Sequence, residues 1–167
     1  MINDLVDNVF LITTINSNRF KYISSHLETH NIKYQIIVAS SHTVMTKDIK
    51  VVDSGEDTRS SLSLLSAYRS IVEISKLTKY KKIAIIEDDC YFVKNWKQLF
   101  SNFYNNIPTD WDLLNIGYHP LHDTDTVKES VNKYAYKPLN YHHTTHCMII
   151  KNTCFDEFLN LYYKWNY

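Results

Sequence analysis

Ile83-Ala84-Ile85-Ile86-Glu87-Asp88-Asp89-Cys90 runs an unbroken apolar stretch directly into three consecutive carboxylates. An apolar run without alternation reads as a strand buried on both faces, hence a central strand of a parallel sheet. In open α/β sheets, ligands collect just beyond the carboxyl ends of such strands. Three acids placed there repel one another unless positive charge sits between them. A hard divalent cation is the simplest candidate, because such ions take carboxylate oxygens.

Outward from this strand, the pattern keeps alternating between strands and helices. Residues 9–15 are apolar and β-branched and read as a first strand. Asn16, Ser17 and Asn18 supply helix-capping chemistry. Residues 19–30 carry Phe20, Ile23 and Leu27 at helical spacing, and residues 34–39 read as a second strand. Strand, helix, strand at this spacing forms a βαβ unit. A short strand is expected over 49–52 and a long helix over 61–78, with Leu64, Leu65, Tyr68, Ile71 and Val72 on its buried stripe. Beyond the acids, the expected elements are a helix over 96–105, a strand over 111–116, a polar loop over 119–132, an edge segment over 134–139, a strand over 147–150 and a closing helix over 153–163. The fold class is α/β, a mainly parallel central sheet flanked by helices, in one domain over 1–167.

Composition narrows the function. Lysine plus arginine equals aspartate plus glutamate at 18 each, so no overall charge argues for nucleic acid or an anionic membrane. No apolar run reaches the ~20 residues that span a bilayer, and the first residues lack signal-peptide character. Cys90, Cys147 and Cys154 have no CxxC spacing, which disfavours zinc-thiolate sites and disulfide frameworks. These features make a cytoplasmic location the expectation. The two glycines, Gly55 and Gly117, exclude a P-loop and a GxGxxG turn.

Four blocks resemble glycosyltransferase family 25, the lipopolysaccharide and collagen sugar transferases. They are Val9-Phe10-Leu11-Ile12-Thr13-Thr14-Ile15-Asn16 with Arg19; Ser61 to Tyr68; Ile85-Ile86-Glu87-Asp88-Asp89; and Asp110-Trp111-Asp112-Leu113-Leu114 followed by Thr145-His146-Cys147-Met148-Ile149-Ile150. The resemblance implies a GT-A-like (Rossmann-like) fold and metal-dependent transfer, with inversion, from a nucleotide sugar such as a UDP-sugar to a glycan, lipid-linked or protein acceptor. It also implies that Thr13, Glu87 and Asp88 belong to the nucleotide-sugar site. The chain departs from the family pattern at Ala67, where histidine is usual, and around Ser63, where the family has Gly-Cys. It also ends soon after the Thr-His strand.

The residues themselves suggest a division of roles. A bound Mn²⁺ or Mg²⁺ would stabilise a departing diphosphate as a Lewis acid. Asp89 is the leading ligand, Glu87 stands at i, i−2 from it, and His146 is the candidate third ligand. Arg19, at the end of the first strand, could contact the nucleotide. Inverting transfer needs a base that reaches the acceptor hydroxyl. Asp112 is the candidate, sharing a strand face with Asp110 while Trp111 takes the other; Asp123 and Asp125 are alternatives. Tyr118 and His119 are candidate ligand contacts, whereas Tyr68 and Trp96 sit on apolar helical faces and are expected in the core. His142, His143 and His146 lack the helical HExxH geometry of a zinc site. A second reading, based on Ala67 and the short C-terminus, is a catalytically weak GT-A-like binding or interaction domain. A third, a metal-dependent phosphohydrolase or nuclease, needs further carboxylates and a basic face that the chain does not show.

Overall fold

Side-chain alternation along three buried strands explains how the molecule is layered. The computed structural model describes residues 2–39, 56–116, 128–133, 135–138 and 145–165. Its strands are β1 (Asn8–Thr14), β2 (Gln35–Ala39), β3 (Lys82–Glu87), β4 (Leu113–Asn115), β5 (Lys128–Asn132), β6 (Ala135–Pro138) and β7 (Cys147–Lys151). Its helices are α1 (Phe20–Thr29), α2 (Glu56–Leu77), α3 (Trp96–Tyr104) and α4 (Phe155–Trp165). Successive strand side chains point to opposite faces. Val9, Leu11, Ala84, Ile86, Cys147 and Ile149 therefore meet Ile23 and Leu27 of α1 and Trp96 and Phe100 of α3. Phe10, Ile12, Ile83, Ile85, Met148 and Ile150 meet Ala67, Tyr68, Ile71 and Val72 of α2 and Phe155 and Leu159 of α4. The result is an α/β molecule with helices on both faces of one sheet.

The sheet order is β2-β1-β3-β7-β4. β2, β1 and β3 are parallel neighbours, as the βαβ reading requires. β7 is antiparallel to both β3 and β4. Four strands thus run one way and β7 the other, so the sheet is mixed rather than uniformly parallel. The inserted strand needs no crossover helix before it, because it enters from the carboxyl end of β3 and runs back. β5 and β6 form a separate antiparallel pair. The polar loop expected over 119–132 therefore gives way to a strand at Lys128, and within the edge segment expected over 134–139, Ala135–Pro138 pairs with that strand.

With so few glycines, left-handed backbone falls to other residues. Asn16 (φ 64°) follows β1, Asn31 (φ 55°) follows α1 and Lys79 (φ 60°) follows α2. Asparagine tolerates this region better than most residues. Asn31 and Lys79 close their helices, with Ile32 N–H bonding to Leu27 O at 2.9 Å and Tyr80 N–H to Ser75 O at 3.0 Å. α2 begins at Glu56, earlier than expected, because residues 56–60 continue the helix without an apolar stripe. The strand expected over 49–52 lies outside the described residues.

Candidate functional site

The cluster forms where β3 ends. β3 and β7 are adjacent and antiparallel, so the end of β3 lies beside the start of β7. Glu87 N–H donates to His146 O at 2.9 Å. A turn then follows, closed by Cys90 N–H to Glu87 O at 3.0 Å. Three consecutive acids on this strand end and turn point in three directions.

Glu87 shares the alternation of Ile83 and Ile85 and so faces α2. Tyr68 of α2 donates its hydroxyl to Glu87 Oε1 at 2.7 Å and lies 3.1 Å from Thr145 O. The Thr145 hydroxyl donates to the same Oε1. Burial, and then the adjacent Glu87 carboxylate, push the Tyr68 phenol far above its usual range, so it stays a neutral donor.

Asp88 turns toward the other face and meets the β1–α1 turn. Its Oδ2 accepts from Thr13 Oγ1 at 2.8 Å and from Ser17 Oγ at 2.6 Å. Its Oδ1 lies 2.9 Å from Arg19 Nη2. Both oxygens are thus engaged within the chain. Thr13 and Asp88, implied nucleotide residues, are brought together in a buried bond that anchors this turn to β3. Ser17 also accepts from Arg19 N–H at 3.2 Å. Capping of α1 was expected from Asn16, Ser17 and Asn18, but the N-cap position is Arg19 and it has no side-chain cap.

Asp89 points outward to His146, whose Nδ1 lies 2.9 Å from Asp89 Oδ1 and 3.9 Å from Glu87 Oε2. Glu87, Asp89 and His146 each offer one ligand atom, and these lie within 4.8 Å of one another. Arg19 Nη1 stands 3.9 Å from Asp89 Oδ2, and the Arg19 side chain is 60% exposed, so it borders the cluster. The donor set of two carboxylates and one imidazole suits a small divalent ion. Ligand atoms bonded at ~2.0–2.3 Å to one ion lie no more than about 4.6 Å apart, so the 2.9 Å pair already fits and the wider separations would close on binding.

Asp112 is not brought to this cluster. Its backbone O accepts from Lys151 N–H at 2.8 Å, and its carboxylate accepts from the Thr153 hydroxyl. β4 runs parallel to β3, and Asp112 precedes β4, so it lies at the opposite end of the sheet from Glu87. The role of base for chemistry at the acid cluster is therefore corrected. Trp111 packs there too, under Lys151 Nζ at 4.1 Å from its ring centroid. Tyr118, His119, Asp123, Asp125, His142 and His143 lie outside the described residues.

Compared with family models and with curated proteins, the chain matches none. Two participants were not legible as such in the sequence. Tyr68 sits in the core, as its helical stripe requires, yet its hydroxyl reaches Glu87. The signal was available in principle, since a buried phenol needs a partner. Ser17 read as one of three capping residues and serves also as a clamp on Asp88. Ala67 is buried against the sheet beside Tyr68, at the position where histidine was expected from the resemblance.

Cys147 is buried immediately after His146, and Cys90 follows Asp89. The adjacent Cys90 thiol and burial push the Cys147 thiol well above its ordinary range. This leaves it a protonated core residue rather than a nucleophile.

Proposed function

We propose that this chain is a metal-dependent, GT-A-like glycosyltransferase domain that binds a nucleotide sugar, a UDP-sugar in the leading case, with Mn²⁺ or Mg²⁺. One observation carries the reading. Glu87, Asp89 and His146 converge within 4.8 Å at the carboxyl end of a buried parallel strand, although His146 is 57 positions beyond Asp89. That is where open α/β sheets take their ligands.

Glu87, Asp89 and His146 would hold the ion. When bound, a divalent cation offers Lewis-acid stabilisation of diphosphate oxygens. Arg19, in the β1–α1 turn, adds a second positive group whose half-exposed side chain can meet a phosphate oxygen. Asp88, Thr13 and Ser17 keep that arginine-bearing turn against β3. Tyr68 and Thr145 fix the plane of Glu87. The acceptor would be a glycan, a lipid-linked sugar or a protein. No described helix is long and apolar enough to cross a membrane.

The position of Asp112 favours a second reading. With Asp112 at the far end of the sheet, a general base for the acceptor hydroxyl is missing among the described residues of the cluster. A GT-A-like domain that binds nucleotide without efficient transfer would have this geometry. Titration calorimetry with UDP, with and without Mn²⁺, tests binding, and release of UDP from UDP-sugars separates the two readings. Metal-dependent UDP binding with turnover supports the transferase, and binding without turnover supports the second reading. Absence of Mn²⁺-dependent binding of any nucleoside diphosphate removes both.

A further inference from the structure

We propose that Tyr68 and Thr145 restrict Glu87 to one-oxygen ligation and so bias the cluster toward small octahedral cations over Ca²⁺. This rests on the metal reading given above. A carboxylate oxygen has two lone-pair sites. On Glu87 Oε1 both are taken, one by the Tyr68 hydroxyl at 2.7 Å and the other by the Thr145 hydroxyl. Only Oε2 remains on the side of His146 Nδ1.

The cap is held in place from two directions. The Tyr68 ring is buried in the α2 face of the core, next to Phe158 at 6.3 Å between ring centroids. Thr145 lies two residues before β7, whose register against β3 is set by five residue pairs. A carboxylate gripped in this way cannot turn both oxygens toward one ion without breaking two hydrogen bonds. Ca²⁺ takes six to eight oxygens and commonly uses carboxylates through both. Mg²⁺ and Mn²⁺ accept six ligands in near-octahedral order. Single atoms from Glu87, Asp89 and His146 would supply three of those six ligands. Tyr68 and Thr145 are thus positioning residues that act through Glu87.

Calorimetric titration with MnCl₂ and with CaCl₂ tests this in the wild type, Tyr68→Phe, Thr145→Val and the double variant. The wild type should bind Mn²⁺ more tightly than Ca²⁺. Freeing Oε1 should shrink that preference by about tenfold in the double variant, in line with the usual effect of residues that orient metal ligands. A purely structural role would weaken both ions alike and leave their ratio unchanged. Tyr68→Phe keeps the ring, and Thr145→Val is nearly isosteric and supplies the same ratio alone if the tyrosine variant fails to fold. A Mn²⁺-to-Ca²⁺ preference that stays within about twofold of wild type in the folded variants would overturn the proposal and leave the metal reading standing. A wild type that prefers Ca²⁺ would do the same. A wild type that binds neither ion would remove the metal reading and this proposal together.

Discussion

Arg19 and Asp88 meet at 2.9 Å and bind the β1–α1 turn to the end of β3. The two partners are unequal. The Arg19 side chain is 60% exposed, whereas that of Asp88 is 6% exposed. Loss of the arginine returns a mostly solvated group to water. Loss of the aspartate strands two hydroxyls, Thr13 and Ser17, against a buried face. Asp88→Ala should therefore destabilise by about 2–3 kcal/mol, and Arg19→Ala by less than about 1 kcal/mol. Urea unfolding midpoints of the two variants check the order, and equal losses would show that the buried hydroxyls find other partners.

Asp89→Asn should abolish Mn²⁺-dependent UDP binding while leaving the unfolding midpoint unchanged or slightly raised. The carboxylate projects beyond the strand, and its neutralisation relieves repulsion with Glu87 and Asp88. Parallel calorimetry and thermal denaturation give both readings. A variant that binds Mn²⁺ and UDP like the parent would take Asp89 out of the site.

His30 should make the fold sensitive to mild acid. It packs edge-on against Phe92 and Trp96, with His26 4.8 Å away between centroids and Lys97 nearby. Burial first, then the charges of His26 and Lys97, lower its pKa from 6.5. The unfolded chain therefore takes up this proton at a pH where the folded protein still resists it. The stability associated with the neutral ring is complete above 6.5 and is lost as pH falls from there through the lowered folded value. Denaturant titrations across this window should show a shallower slope in His30→Gln than in the wild type. Parallel slopes would mean that protonation here is not linked to folding.

Ile85 is fully buried on the α2 side of β3. Ile85→Ala should cost about 2–5 kcal/mol through lost transfer free energy and a cavity. Leu77→Ala is the matched control, since Leu77 is 84% exposed at the end of α2 and should change stability by less than about 0.5 kcal/mol. Similar losses in the two would contradict the layering described above.

The central strands were legible because β1 and β3 are buried on both faces and need apolar residues at every position. The helices α1, α2 and α3 were legible from their stripes, within a few residues at most ends. Strand direction left no mark on composition: Cys147 to Ile150 would look the same whether β7 ran parallel or antiparallel to β3. Lys128 to Asn132 read as loop because Lys-Glu-Ser-Val-Asn lacks an apolar face, and only pairing with Ala135–Pro138 makes it a strand. The proximity of Glu87, Asp89 and His146 was legible because acids after a buried strand and a histidine before another mark strand ends. Asp112 was misplaced for a reason that strand order makes plain. It stands before its strand, whereas parallel strands bring ligand-facing residues together at their other ends. Tyr68 and Ser17 act through single hydroxyls whose partners lie 19 and 71 positions away, a relationship that local periodicity does not encode.

The last strand of the sheet is not at its edge. β7 enters between β3 and β4, and among the described strands β4 bonds to no other neighbour. A nascent chain emerging from the ribosome delivers β1, β2 and β3 as a pairable set, then β4 with nothing yet to pair against. The gap between β3 and β4, about two strand spacings or ~9–10 Å, closes only when the segment led by Thr145 and His146 arrives. The polypeptide that completes the backbone ladder also delivers the third member of the cluster. Partly assembled chains would have the acids without the imidazole, so the three-residue cluster is complete only once the sheet itself is.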